Sequence, residues 1–205
     1  MKQKVEELIH ELKHHVPFTI FATIVAIVVV IFIVYFMSQE IPKSFFHSLH
    51  FLHIFVSSMV TTAIFYKYKS NIFQAILVGI MGAIIIGSLS DVVFPYLGGI
   101  ILNLKIEFHL PIIEKTFLIL MISLIGSFVG AYYKTTKIPH FIHVFLSVFA
   151  SLFYLLVFSS FFSLIYFLGA FLIVFISVII PCCASDILFP FIFLREKIKN
   201  TGVNK

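Results

Sequence analysis

The sequence predicts an all-α integral membrane protein in which six transmembrane helices form two inverted-topology repeats of three helices each. Three observations predict this class: long apolar runs follow one another, charged residues are few, and polar motifs recur in the same order in both halves. Of the 205 residues, 61% are hydrophobic and 11% are charged. Soluble domains carry about 25% charged residues because their surfaces face water, so this composition excludes an ordinary soluble domain.

The first 16 residues are rich in charge and lack the early apolar core of a signal peptide. Apolar side chains recur at helical spacing from Val5 to Val16. This pattern predicts an amphipathic helix over residues 1–16 that lies at the membrane surface. At the other end of the chain, residues 195–205 follow the last apolar run and are predicted to form a basic cytoplasmic tail.

Six apolar runs lie between these two ends, and each can cross the hydrocarbon core as a helix of about 20 residues. Helices satisfy their own backbone hydrogen bonds in lipid, and none of the runs alternates like a barrel strand. Proline stands at three predicted helix starts, where a missing N–H costs little. The predicted spans are residues 17–37, 44–66 and 71–102 in repeat 1 (17–102), and 111–133, 139–160 and 163–194 in repeat 2 (103–194, with the preceding connection).

The distribution of Lys and Arg predicts the orientation, because cytoplasmic segments of membrane proteins carry the excess of these residues. With the N-terminus in the cytoplasm, only Lys43, Lys105 and Lys115 of the 14 Lys and Arg residues lie outside. We therefore predict a multi-pass protein of the cytoplasmic membrane with both termini inside. The net charge of +5 then reflects orientation and gives no reason to expect nucleic-acid binding.

The repeats are predicted from polar motifs that recur about 90 to 95 residues apart. Each half has three spans, so the second half enters the membrane in the opposite orientation, as in many secondary transporters. The motifs are His-x-Pro at 15–17 and 109–111, His-x-x-His at 50–53 and 140–143, and Ser-Asp-x-x-x-Pro at 90–95 and 185–190.

The predicted topology gathers these residues into one set near each membrane face. The outer set is His50, His53, Asp91 and His109, and the cytoplasmic set is His140, His143, Asp186 and His15. Polar stripes at helical spacing continue inward from both His-x-x-His motifs, and lipid would not tolerate them well, so they are predicted to face the bundle interior. As a substrate pathway we predict Ser57, Thr61, Ser147, Ser151, Ser90 and Ser185.

Neutral imidazole and carboxylate groups are the usual ligands of divalent transition metals, and the same groups can relay protons. The sets therefore predict sites for a divalent ion such as zinc, iron, manganese or nickel. A proline follows each Asp by four residues, and proline interrupts the helical hydrogen-bond ladder. We therefore predict that helices 3 and 6 break after Asp91 and Asp186.

These features favour a small secondary transporter or permease, most naturally for a divalent transition-metal cation. Two alternatives stay open: a membrane-embedded metalloenzyme acting on a lipid, and a carrier of an anionic, phosphate-type lipid headgroup. An enzyme is the less favoured interpretation, because the two sets are predicted at opposite faces and no nucleophile or nucleotide-binding motif is present. The expected partners are the lipid bilayer, a small inorganic ion or small anionic substrate, and a second copy of the chain in a homodimer.

Overall fold

The computed structural model describes residues 2–37, 41–133, 137–159 and 164–183, with side chains for 16–33, 41–133, 141–159 and 168–181. Helices make up nearly all of this part of the chain, and one isolated antiparallel bridge joins Ile106 to Ser159. The helices are α1 (Lys2–Met37), α2 (Lys43–Tyr68), α3 (Ile72–Ser88), α4 (Phe94–Ile101), α5 (Pro111–Glu114), α6 (Thr116–Tyr133), α7 (Lys137–Phe158) and α8 (Leu164–Ser177), with π-helical segments at Leu89–Val93 and Val178–Cys183.

Five helical stretches are long and apolar enough to span a membrane, which supports a multi-pass membrane protein. A sixth apolar helix is shorter within the described residues, at Leu168–Pro181. The five stretches are Val16–Ile33, Lys43–Tyr68, Ile72–Ile101, Thr116–Tyr133 and Phe141–Phe158.

The first helix differs from its prediction at Pro17. We predicted a surface helix over residues 1–16 and a separate span that begins at this proline, but α1 is a single 36-residue helix with Pro17 inside it. Proline removes one hydrogen bond from a helix interior. The Glu, Leu and Lys residues before it favour the helix, and the apolar run after it continues the same ladder, so one lost bond does not end the helix.

Helices α2 and α7 form the interior of the bundle. In their apolar windows 61% and 67% of the residues are buried, against 28–39% in the other three spans. The two helices pack antiparallel, because Phe46 near the start of α2 contacts Tyr154 near the end of α7, at 5.3 Å between ring centroids. Further along α2, His53 contacts His143 near the start of α7.

Helix α6 packs against α2 through two glycines spaced four residues apart. A Cβ atom at Gly126 would overlap the carbonyl oxygen of Phe55, and one at Gly130 would overlap that of Met59. Small residues at this spacing let two helix backbones approach closely in a membrane. The Gly-x-x-x-Gly pattern therefore fixes α2 against α6 and leaves the opposite face of α2 for α7.

The third span changes its hydrogen-bonding pattern in the middle without interruption. α3 passes into the π-helical segment Leu89–Val93 and then into α4, and the N–H of Phe94 donates to the carbonyl of Leu89. The predicted break after Asp91 is therefore wrong. Because Pro95 has no N–H to donate, the chain widens the turn before it, and Asp91 lies inside that wide turn.

Candidate functional site

The Asp91 carboxylate lies at the centre of the bundle and is fully buried. Its Oδ2 atom lies 2.8 Å from Nδ1 of His50 and 2.7 Å from Nδ1 of His53. Its Oδ1 atom accepts hydrogen bonds from the hydroxyls of Ser90 at 2.8 Å and Ser147 at 3.3 Å. We call these five residues the Asp91 cluster.

Three separate stretches of the chain position this cluster. Helical spacing places His50 and His53 on the buried face of α2. The wide turn of the π-helical segment buries Ser90, Asp91 and Val92, three consecutive residues. From α7, the hydroxyl of Ser151 donates to the Ser90 carbonyl at 2.9 Å and to the Ser147 carbonyl at 2.7 Å. Side chains from both halves of the chain therefore hold the carboxylate.

The hydrogen bonds define the state of the two imidazoles. An ionised carboxylate only accepts hydrogen bonds, at about four positions, and four protein donors fill them here. Both imidazoles therefore donate from Nδ1, and in a neutral ring the lone pair is then on Nε2. Among the described residues, the buried Nε2 atom of His50 has no hydrogen-bond partner, a state that costs about 1–3 kcal/mol.

His143 lies beside this cluster and not in a separate set. Its ring stacks on that of His53, with centroids 4.7 Å apart and planes 26° apart. The sequence predicted that the two His-x-x-His motifs lie at different depths in the membrane. The contact between His53 and His143 shows that this separation is wrong for His143. His53 and His143 both lie more than one turn inside their helices, and antiparallel α2 and α7 turn their polar stripes toward each other.

The polar stripe of α2 continues beyond the cluster. The hydroxyls of Ser57 and Thr61 are buried and have no hydrogen-bond partner within the described ranges. The same is true of Thr62 and Ser127, which the sequence analysis did not select. These two residues meet over Gly79, where a Cβ atom would overlap the Thr62 hydroxyl. The recurring small residues of three helices are the signal that predicts such close packing.

His109 lies at the end of the bundle where α2 begins and α7 ends, which is predicted to be the outer end, and it is apart from the cluster to which the sequence assigned it. Its ring stacks on Phe158 at 4.6 Å between centroids, and its Nδ1 atom lies 3.1 Å from Oε1 of Glu114. The ring of His47, one turn before His50, lies 5.0 Å from it at 72°. We call His47 and His109 the outer pair.

Hydrogen bonds and charges surround this pair. The hydroxyl of Tyr154 accepts from the backbone N–H of His109 and donates to the Glu107 carbonyl, both at 3.1 Å. Lys43 forms an exposed ion pair with the Glu107 carboxylate at 3.1 Å. Burial lowers the pKa of the His109 imidazole below its ordinary value of 6.5, and Glu114 opposes this shift without reversing it. The shift favours the neutral form of the His109 imidazole.

Four of the predicted site residues cannot be placed in this arrangement. The backbones of His15 and His140 are helical, in α1 and α7, but their side chains lie outside the described ones. Ser185 and Asp186, with the predicted break of helix 6, lie outside the described residues. The placement of His15, His140 and Asp186 in a cytoplasmic metal site therefore stays a prediction.

No group of three or more His, Cys, Asp or Glu side chains surrounds a common metal position in the described part of the chain. In the Asp91 cluster, the Nδ1 atoms of His50 and His53 face the Asp91 carboxylate. No protein-family model, curated protein or solved structure matches this chain. The Asp91 cluster and the outer pair are therefore the features that indicate its function.

Proposed function

We propose that this protein is a small secondary transporter of a divalent transition-metal cation, with the Asp91 cluster as its central ion site. The observation that carries the proposal is the carboxylate with two imidazole Nδ1 atoms at 2.7 and 2.8 Å in a fully buried position. A buried ionisable group between apolar helices is costly, and such groups mark ion pathways in membrane proteins.

The role of Asp91 in this proposal is to orient the imidazoles. Its four acceptor positions are filled by protein donors, so the carboxylate has no free position for the metal. Metal-binding histidines commonly donate their other ring N–H to a carboxylate, which fixes the tautomer and makes the ligand nitrogen more basic. The Nε2 atom of His50 is then a ligand atom, and it is buried without a partner among the described residues.

We also propose six spans in two inverted repeats of three, with both termini in the cytoplasm. The two His-x-x-His motifs, at 50–53 and 140–143, are matched between the proposed repeats, so His53 and His143 are equivalent positions. Their rings stack on each other, with centroids 4.7 Å apart. Two equivalent residues contact each other only near the axis that relates their repeats. An ion site beside this axis supports alternating access, because the site is then shared by both halves.

The test is uptake of Zn²⁺, Mn²⁺, Fe²⁺ or Ni²⁺, one at a time, by liposomes that contain the purified full-length chain. We expect wild-type protein to take up at least one of these ions faster than protein-free liposomes. Asp91→Asn and His50→Gln each lower that uptake at least about tenfold, because loss of a supporting carboxylate alone weakens metal sites by about 10- to 100-fold.

Two matched variants control for damage to the fold. Ser48→Ala alters an exposed hydroxyl on α2 that bonds only its own helix, at Ser44. Ile125→Val alters an exposed apolar side chain on α6. Both variants keep wild-type uptake. Metal uptake that is unchanged in Asp91→Asn and His50→Gln contradicts the proposal, as does the lack of uptake of all four ions by folded wild-type protein.

A membrane-embedded metalloenzyme is the second candidate, and the stacking of His143 on His53 favours it. This contact brings imidazoles of both halves to one place, as a single active site requires. Bound iron or zinc that survives dialysis, together with turnover of a lipid that depends on His53 and His143, would support the enzyme. Metal that exchanges freely and moves across the bilayer supports the transporter.

A further inference from the structure

Each ring of the outer pair has one nitrogen that no hydrogen bond from the described residues uses. Nδ1 of His47 and Nε2 of His109 are buried and have no hydrogen-bond partner among the residues that the structure describes. His47 as a whole is 9% exposed. Water would satisfy such atoms on an open surface, so two of them on adjacent rings indicate a ligand that binds imidazole nitrogens. A neutral imidazole can have its lone pair on either ring nitrogen.

The two rings are held in place from different elements. His47 is fixed by α2, where its ring stacks with Phe51 at 6.0 Å between centroids. His109 is fixed by the connection between α4 and α5, through its stacking on Phe158 and the bond from its backbone N–H to Tyr154. Their centroids are 5.0 Å apart. Both rings are therefore positioned before any ligand binds.

Glu114 orients one of the two rings. Its carboxylate lies 3.1 Å from Nδ1 of His109, so this nitrogen is the donor and Nε2 has the lone pair. A carboxylate behind an imidazole is the arrangement that supports metal-binding histidines. The charges around His109 are balanced, since two lysines, Lys43 and Lys115, and two glutamates, Glu107 and Glu114, act on its ring. A divalent cation therefore meets no net positive charge from these four groups.

We propose that His47 and His109 form a second binding site for a divalent transition-metal cation at the outer end of the bundle, with Glu114 as its positioning residue. The site is distinct from the Asp91 cluster. It captures the cation before the cation reaches His50, one turn further along α2. The inference rests on the proposed function for the identity of the cation, and it adds a second site to it.

The test is titration of Zn²⁺ into purified full-length protein by calorimetry, with Cu²⁺ electron paramagnetic resonance to count nitrogen ligands. Wild-type protein binds about two Zn²⁺ ions. His47→Gln and His109→Gln each lose one ion and one class of nitrogen-coordinated Cu²⁺ signal, and Asp91→Asn loses the other. Glu114→Gln weakens the outer site by about 10- to 100-fold while thermal unfolding of the metal-free protein stays unchanged.

The outcomes separate the two proposals. If His47→Gln and His109→Gln elute as folded protein and bind as many ions as wild type with the same affinity, the outer site is overturned. If these variants lose one ion while no variant or wild-type protein moves metal across a bilayer, the outer site stands and the transport function fails. Wild-type Cu²⁺ spectra without nitrogen coupling overturn the site even if a variant does not fold.

Discussion

The Asp91 cluster and the outer pair are both built from imidazole and carboxylate, yet they differ in how the carboxylate is held. Asp91 is fully buried and receives four protein donors from three stretches of the chain. Glu114 is 55% exposed and contacts one imidazole. Charges in a dry interior interact far more strongly than charges near water. We therefore expect that a substitution in the Asp91 cluster destabilises the protein strongly, whereas a substitution of a charged residue around the outer pair has a small effect on stability.

Asp91→Asn gives the largest expected effect. The amide places a donor where two imidazole N–H groups also donate, so at least two hydrogen bonds to a charged group are lost. We expect the free energy of unfolding to fall by at least about 3 kcal/mol, measured by thermal or denaturant unfolding in detergent. An unfolding midpoint equal to that of wild type contradicts this expectation.

Gly130→Val tests the helix packing on which both sites depend. The added side chain overlaps the Met59 carbonyl and pushes α6 away from α2, so we expect a loss of about 1–3 kcal/mol together with weaker metal binding at both sites. Ile125→Val, on the exposed face of α6, is the matched control and keeps wild-type stability. If Gly130→Val leaves metal binding by the Asp91 cluster and by the outer pair unchanged, neither depends on the close approach of α2 and α6.

Ser147→Ala removes the longest of the four bonds to Asp91, at 3.3 Å. We expect a loss of about 1 kcal/mol in unfolding free energy and a smaller loss of uptake than in Asp91→Asn. The comparison is made in the same liposome assay, beside Ser48→Ala. A Ser147→Ala defect as large as that of Asp91→Asn would show that the hydroxyl, and not the imidazole pair, dominates the cluster.

Glu107→Gln gives the smallest expected effect. Its ion pair with Lys43 is exposed on both sides, and exposed pairs contribute about 1 kcal/mol or less. Unfolding of this variant is expected to match wild type at moderate salt concentration. A loss as large as that of Asp91→Asn contradicts the view that charges at the outer end are only loosely coupled to the fold.

The sequence predicted the elements of this fold better than their depth. Spacing along the chain gives the face of a helix, so His50, His53 and Asp91 were selected from the sequence and meet in the structure. Depth depends on where two helices cross, and this brought His143 to His53 against expectation. Because Pro95 has no N–H, the sequence predicted that the helix is disturbed there, and it is. The sequence did not predict a π-helical segment in place of a break, because that choice depends on packing.

The outer pair was harder to predict for a related reason. His109 was selected, but His47 has no counterpart beside the second His-x-x-His motif, where Lys137 takes its place. Glu114 follows His109 in the next helix, so nothing in a helical pattern links the two residues. A loop conformation, fixed here by Tyr154 and Phe158, brings them together, and periodicity does not predict loop conformations.

Counterflow tests the central claim most directly. Liposomes that contain the protein are preloaded with the unlabelled transported ion, and uptake of the radioactive ion is compared with uptake into empty liposomes. A carrier that alternates around one shared site predicts that preloading accelerates uptake in wild type and Ser48→Ala but not in Asp91→Asn. Uptake that preloading does not accelerate, or acceleration that persists in Asp91→Asn, would contradict an ion carrier built around the Asp91 cluster.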